Sequence, residues 1–338
     1  LGGPTRFSYA FMVLLLVLTI AVHLATPLLA ALFSYLVLTM LVFPRRGGKW
    51  IAAGIFIVLI GAAAYGLGYY AKHTIKALPE IADRSIPSVF SWAQQHGIEL
   101  PFTDYDSLKD LALDSVKVEA RYLSGFARFA RGATTNILFL VAGCVVAVSL
   151  FLNPRFELGR DASGPNQNLY SECCSEIALR FRTLYDSFKT VMGAQIIISA
   201  INTVLTGIFV LFLGFPYAIV IVGATFICGL LPVVGNIISN TVVVMVGFTI
   251  SPRTAFFALL FLVIIHKLEY FLNSKIVGWR IRNPLWLTLL GLIVGERLMG
   301  VPGMILAPVI LNYIKRETAV FRADRDSDKE SEPAVAGA

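Results

Sequence analysis

Uncharged apolar runs follow one another along this chain: Phe7 to Ala25 holds 19 residues, Pro27 to Phe43 holds 17, Thr135 to Leu152 holds 18 and Val191 to Leu213 holds 23. An α-helix needs about 20 such residues to cross the roughly 30 Å hydrocarbon core of a bilayer, and in lipid only a helix satisfies its own backbone locally. Trp50 to Ala71 reads as a further span, with Trp50, Tyr69 and Tyr70 near the two interfaces where amphipathic rings are favoured. Thr254 to Leu272 reads as another. Hydrophobic residues make up 57% of the 338 and charged ones only 14%. Soluble domains carry roughly 25% charged residues, so a single water-soluble globule is excluded. The expected fold is an all-α polytopic membrane protein of about six full spans, a lipid bilayer being its first partner.

The charges set orientation. Net charge is +7, but the bases cluster beside apolar runs, at Arg45, Arg46 and Lys49, at Arg280 and Arg282, and at Lys315 and Arg316. That is the positive-inside pattern, with no basic helix or aromatic motif for nucleic acid. It sets the expectation of a multi-pass chain with both termini in the cytoplasm. The first apolar run is followed at once by another, which argues against a cleaved signal peptide. Cys144 and Cys228 lie in apolar segments, and the adjacent Cys173 and Cys174 fit neither an unstrained disulfide nor a zinc pattern. His23, His73 and His96 are isolated, so no metal and no cofactor is expected. Nor does the chain carry a zincin motif, nucleophile elbow, Walker loop or dinucleotide fingerprint, which removes the residues an enzyme or ATP-driven pump would need.

Proline and polarity divide the chain further. Thr26-Pro27 is the expected break between the first two spans, which cover residues 1–71 together with the third. Residues 72–133 form a more polar, extracytoplasmic segment that Pro79, Pro87 and Pro101 should cut into pieces. Within it Thr103 and Asp106 resemble a capping box ahead of an amphipathic helix. The span at 134–152 crosses back. Residues 153–190 give a cytoplasmic loop and a second amphipathic helix, with Glu176 and Arg180 at pairing distance, feeding directly into the span from Val191. The tail, 317–338, is polar and acidic and is expected to be disordered.

The core, 191–316, holds two interrupted stretches. Pro216 to Leu231 and Pro284 to Met299 are each 16 residues, followed by breaks at Pro232, Gly235 and Asn236 and at Gly300, Pro302 and Gly303. Sixteen helical residues reach about 24 Å, short of the hydrocarbon core. Each stretch opens with proline and carries a glycine seven residues on, Gly223 and Gly291. Following the orientation along the chain makes them inverted re-entrant hairpins entering from opposite faces; two ordinary pairs of spans with solvent-exposed turns, about eight spans in all, is the plainer alternative. Paired Pro/Gly-interrupted segments point to a transporter site near the membrane midplane.

Candidate substrate-binding residues are therefore Pro232, Gly235, Asn236, Gly300, Pro302 and Gly303, whose freed backbone must line a cavity or be buried in protein. Glu296 and Arg297 join them near the second break, as does the pair Gln195 and Asn202, which share one helix face; such polar residues more often bind a neighbouring helix than a substrate. His266 and Glu269, at the end of a span, are candidates for ion coupling, against a plain interfacial placement.

In this half the chain resembles the autoinducer-2 exporter superfamily of bacterial permeases. The pieces that carry the resemblance are Gln195 with Asn202-Thr203; Gly214-Phe215-Pro216; Leu231-Pro232-Val233-Val234-Gly235-Asn236; Glu269-Tyr270; Asn283-Pro284-Leu285; and Gly300-Val301-Pro302-Gly303 before Ala307-Pro308. Asn283 stands where the family commonly has His, and Glu296-Arg297 where it has apolar residues or glycine. The resemblance implies export of a small polar solute such as the signalling furanone, coupling to Na+ or H+ with sodium/proton exchange in some members, homo-oligomers that include pentamers, and an elevator-like shift. A non-transporting membrane scaffold, recruiting partners through its amphipathic helices, is the alternative from another class.

Overall fold

A computed structural model describes residues 2–44, 47–98, 126–153, 169–231, 234–277 and 284–330. Every regular element among them is an α-helix: α1 Gly3–Ala21, α2 Ala25–Met40, α3 Gly48–Gln95, α4 Phe126–Leu152, α5 Leu169–Phe212, α6 Ala218–Gly229, α7 Val234–Ile250, α8 Pro252–Val277, α9 Leu285–Met299 and α10 Val301–Glu330. Among the described residues α1, α3 and α5 are long and apolar enough to cross a membrane, and α2, the end of α4, α6 and most of α7 are shorter apolar helices. The all-α polytopic membrane fold read from the sequence is what the chain adopts. The helices fall into two compact units: Leu1–Val42, Val141–Gly193 and Val277–Ala338 form one, and Phe43–Leu140 with Ala194–Ile276 the other.

Four boundaries differ from those expected, and three of them have a local cause. The first turn lies at residues 22–24, ahead of Thr26-Pro27, because His23 takes a left-handed φ of 56° and the amide of Leu24 reaches back to the Thr19 carbonyl at 2.9 Å. Pro27 then sits in the first turn of α2, where its missing N–H would have had no helical partner. Pro79 and Pro87 do not divide their segment, since α3 runs through both. An internal proline costs about 3 kcal/mol, and the offset is a stripe of Ala77, Ile81, Ser85 and Ala93, all buried. With this face α3 packs on α7 and, less extensively, on α6, and Ala77 and Ile81 join Val210, Ile221, Val243 and Val246 in a common core. The helix predicted after Thr103 falls on residues outside the described set up to 125, and α4 begins at Phe126, nine residues before the expected start of its span.

At the other end of the chain α10 continues to Glu330, so the segment expected to be disordered from 317 is helical that far. Pairing explains its first turns. Glu317 is only 4% exposed and accepts from Arg180 Nη1 of α5 at 2.5 Å and from the Tyr9 hydroxyl of α1 at 2.7 Å. Arg180 also bonds Glu176 at 2.9 Å and lies over the Tyr9 ring, 4.4 Å from its centroid. Burial alone would lower the Arg180 pKa; the Glu317 carboxylate, with Tyr9 and Glu176, outweighs it and raises the group above its usual value. Arg316 donates to Thr190 at 2.9 Å on the same pair of helices. The continuity predicted between the second amphipathic helix and the next span is seen as the single helix α5.

Both broken stretches are helical hairpins, α6 with α7 and α9 with α10. Their legs differ. With 12 and 17 residues, α6 and α7 reach about 18 and 26 Å; α9, with 15, reaches about 22 Å, while the 30 residues of α10 extend about 45 Å. The second hairpin closes backbone on backbone: a Cβ at Gly303 would fall on the Gly295 carbonyl, and one at Gly295 on the Gly303 carbonyl. Gly300 turns the chain between them at φ 65° and ψ −148°, a conformation reserved for glycine.

Candidate functional site

The site begins with a polar stripe on α5. Gln195, Ser199, Asn202 and Thr206 are spaced four, three and four residues apart, which puts them on one face of the apolar second half of α5. In hydrocarbon each must find a partner or line a polar cavity. The first two meet the end of α6: Gln195 Nε2 donates to the Gly229 carbonyl at 2.6 Å, and Ser199 Oγ to the Phe226 carbonyl at 2.8 Å. The next two face a small pocket, where Asn202 is 6% exposed and its Oδ1 is bonded by no group among the described residues.

Across the pocket, α7 contributes Asn236, Ser239 and Asn240, polar positions at i, i+3 and i+4 in an apolar helix, and α6 adds Thr225. The fourth wall is α8, with His266 and Glu269 one turn apart. Asn236 Nδ2 donates to both oxygens of the Glu269 carboxylate, at 2.8 and 2.7 Å, so one neutral amide bridges the hairpin to α8. His266 Nδ1 stands 3.7 Å from Glu269 Oε2, an ion pair only when the imidazole carries a proton. Among the described residues no Lys or Arg pairs with Glu269. Asn236 lies in the first turn of α7, where the helix dipole also favours a nearby negative charge.

The cavity volume is about 10 Å³. That is on the order of the space one water needs. Its walls are more apolar than polar, with Val243, Leu262 and Ile265 among them, and the polar groups they offer include the Asn202 amide, hydroxyls of Thr206, Thr225 and Ser239, the His266 imidazole and the Glu269 carboxylate. The oxygens among these suit a hard, water-sized cation or a proton held on a carboxylate. Of the candidates named from the sequence, Asn202, Asn236, His266 and Glu269 come together here. Gln195 does not line the pocket; it holds the end of α6. Gly235 is buried behind the Cys228 carbonyl, where a Cβ would collide. Pro232 lies outside the described residues. Glu296, Arg297, Gly300, Pro302 and Gly303 belong to the other compact unit, where Glu296 and Arg297 are exposed and the Glu296 carbonyl accepts from the Gly300 amide at 2.7 Å. Sequence reading missed Thr206, Thr225, Ser239 and Asn240. The signal was available for Thr206, one turn beyond Asn202, and for Ser239 and Asn240, one turn beyond Asn236.

A family model for AI-2E family transporters matches residues 7–322, taking in both units and every helix named above at least in part. The chain belongs to the AI-2E transporter family. Two relatives from Bacillus subtilis (strain 168) bear the same stamp: "Putative transport protein YdbI" is 30% identical over 141 residues, 41% of this chain and 40% of the relative. "Putative transport protein YueF" is 31% identical over 136 residues, 40% of this chain and 37% of the relative. The chain thus aligns with about two fifths of each relative's length. Membership and apolar helices together mark the chain as a membrane protein of a transporter family.

Proposed function

We propose that this AI-2E family protein is a secondary carrier or facilitator that exports a small polar solute, such as an autoinducer-2-like signal molecule, through the pocket framed by α5, α6, α7 and α8. The observation that carries the reading is the state of Glu269: a carboxylate 14% exposed on its side chain, facing a polar pocket and held by the neutral amide of Asn236. An intramembrane carboxylate is costly, and it is retained where it serves a path. A neutral donor can let go without stranding an opposite charge. In this reading the α6–α7 hairpin is re-entrant, its short legs supporting that placement, and release of Asn236 from Glu269 opens the pocket. An elevator-like displacement of the site-bearing unit would give alternating access; a homo-oligomer, a pentamer by family resemblance, would anchor it in a bacterial inner membrane with both termini cytoplasmic.

A second reading, sodium/proton antiport, draws on the size of the cavity. Room for one water suits Na+ or a proton and excludes a furanone-sized solute from this conformation. Purified protein in sealed vesicles separates the two. Efflux of the furanone above protein-free vesicles, lost in Glu269→Gln, supports the carrier; pH-driven sodium flux lost in the same variant supports the antiporter. No flux of either kind across a broad solute panel, with the protein folded, overturns both and favours a scaffold.

A further inference from the structure

The tip of the first hairpin is tied on two sides, by bonds of different chemistry. On the α6 side, the last four carbonyls of a helix have no partner within it and must be satisfied from elsewhere. Here the accounting closes. The Ile227 carbonyl accepts from the Leu230 amide and the Cys228 carbonyl from the Leu231 amide, in tightened i+3 turns. The two that remain, Phe226 and Gly229, are taken by Ser199 and Gln195 of α5. Ser199 is 1% exposed, and its approach needs the bare α-carbon of Gly229, because a Cβ there would stand 2.6 Å from Ser199 Oγ. On the α7 side, among the described residues, the tip is tied by side-chain bonds through Asn236 to Glu269.

We infer that Gln195 and Ser199 are positioning residues that form the fixed pivot of the hairpin, while Asn236 and Glu269 form its releasable catch. The α5 bonds join neutral side chains to main-chain carbonyls, and neither changes when a proton or cation arrives. The α8 bond has a carboxylate acceptor, and occupation of that carboxylate competes with the Asn236 amide. The hairpin tip therefore moves about its α5 attachment and keeps its register when the catch lets go, while the core around Val243 and Val246 stays packed on α3. The inference rests on the pocket being the transport site, but its test needs no transport.

The test is the rate at which an impermeant maleimide labels Asn240→Cys, which lines the pocket, in protein whose Cys144, Cys173, Cys174 and Cys228 are replaced by serine. Ser91→Cys, exposed on α3 of the same unit, is the control. Glu269→Gln, which weakens the catch, should raise labelling of Asn240→Cys about tenfold. Gln195→Ala should raise it about fivefold and blunt any further rise from Glu269→Gln, because an unpinned tip no longer depends on the catch. Gln195→Glu, of similar shape but without a donor when ionised, should act like Gln195→Ala. The Ser91→Cys rate should hold constant throughout. If Glu269→Gln raises labelling and neither Gln195 variant does, the pivot is overturned and the site reading stands. If Glu269→Gln also changes nothing, the site reading falls with it. A parallel rise at Ser91→Cys would mean general loosening and would likewise reject the pivot.

Discussion

Each compact unit sets a glutamate among helices, Glu317 buried and Glu269 partly so, and the two are held in opposite ways. Glu317 is fixed by a permanent cation, Arg180, with Tyr9 adding a hydroxyl and Glu176 sharing the guanidinium. Glu269 meets a neutral amide and a histidine at 3.7 Å, and it faces a pocket. The first arrangement cannot give up a partner without stranding two opposite buried charges. The second strands only the carboxylate, which a proton or cation in the pocket can neutralise. Burial alone therefore does not mark a working carboxylate in this fold; the charge of its partner does. Both hairpins close main chain on a glycine, Gly295 against Gly303 in α9–α10 and Gly235 against the Cys228 carbonyl in α6–α7, but α6–α7 is also fastened to its neighbours through exchangeable side chains.

The largest test of that contrast is Arg180→Ala. Removing one partner of a buried ion pair costs about 3 to 5 kcal/mol, and denaturant unfolding in detergent should show a loss of that order. Replacing Arg180 and Glu317 together by methionine and leucine should cost less than either single change, because no charge is then stranded. A single variant as stable as the parent would show that Glu317 is no more fixed than Glu269. Next in size is Gly303→Ala. Its Cβ would land on the Gly295 carbonyl, main chain that cannot swing aside, and overpacking of this kind costs about 1 to 3 kcal/mol. The melting temperature should fall with no change in labelling at Asn240→Cys.

Glu269→Gln inverts the pattern. Coupled flux in vesicles should drop at least tenfold, equivalent to about 1.4 kcal/mol, while unfolding stays within about 1 kcal/mol of the parent, because the amide that replaces the carboxylate still accepts from Asn236. A large loss of stability instead would move Glu269 into the same class as Glu317.

Where the sequence was legible, the reason was simple physics: charge-free runs of spanning length and polar residues stranded inside them. Asn202, Asn236 and Glu269 were visible because lipid makes each of them expensive. Their convergence was not, since Asn236 and Glu269 lie 33 residues apart and nothing in the spacing says which helices adjoin. Gln195 was visible as polar and ambiguous in role until the free carbonyl of Gly229 was found opposite it. Polarity misled at Glu317, where low hydropathy looked like a solvated tail although Arg180, 137 residues away, neutralises it. Proline misled at Pro27 and Pro79, because its cost depends on the turn it occupies and on how much surface the helix beyond it buries.

The smallest effect comes from a single oxygen. Tyr9→Phe removes the hydroxyl that donates to Glu317 and keeps the ring beneath Arg180, so the cation–π contact survives. Glu317 retains its Arg180 bond, and the expected loss is about 1 kcal/mol, the net worth of one hydrogen bond. Tyr9→Leu, which discards ring and hydroxyl, should lose more, and the difference isolates the ring. Asn236→Ala makes the matching edit in the other unit, withdrawing a neutral donor from a carboxylate. If the two units differ as argued, Tyr9→Phe lowers stability and leaves flux intact, whereas Asn236→Ala changes flux and labelling with little effect on unfolding. Equal behaviour of the two variants would erase the distinction between a carboxylate that builds the fold and one that serves the path.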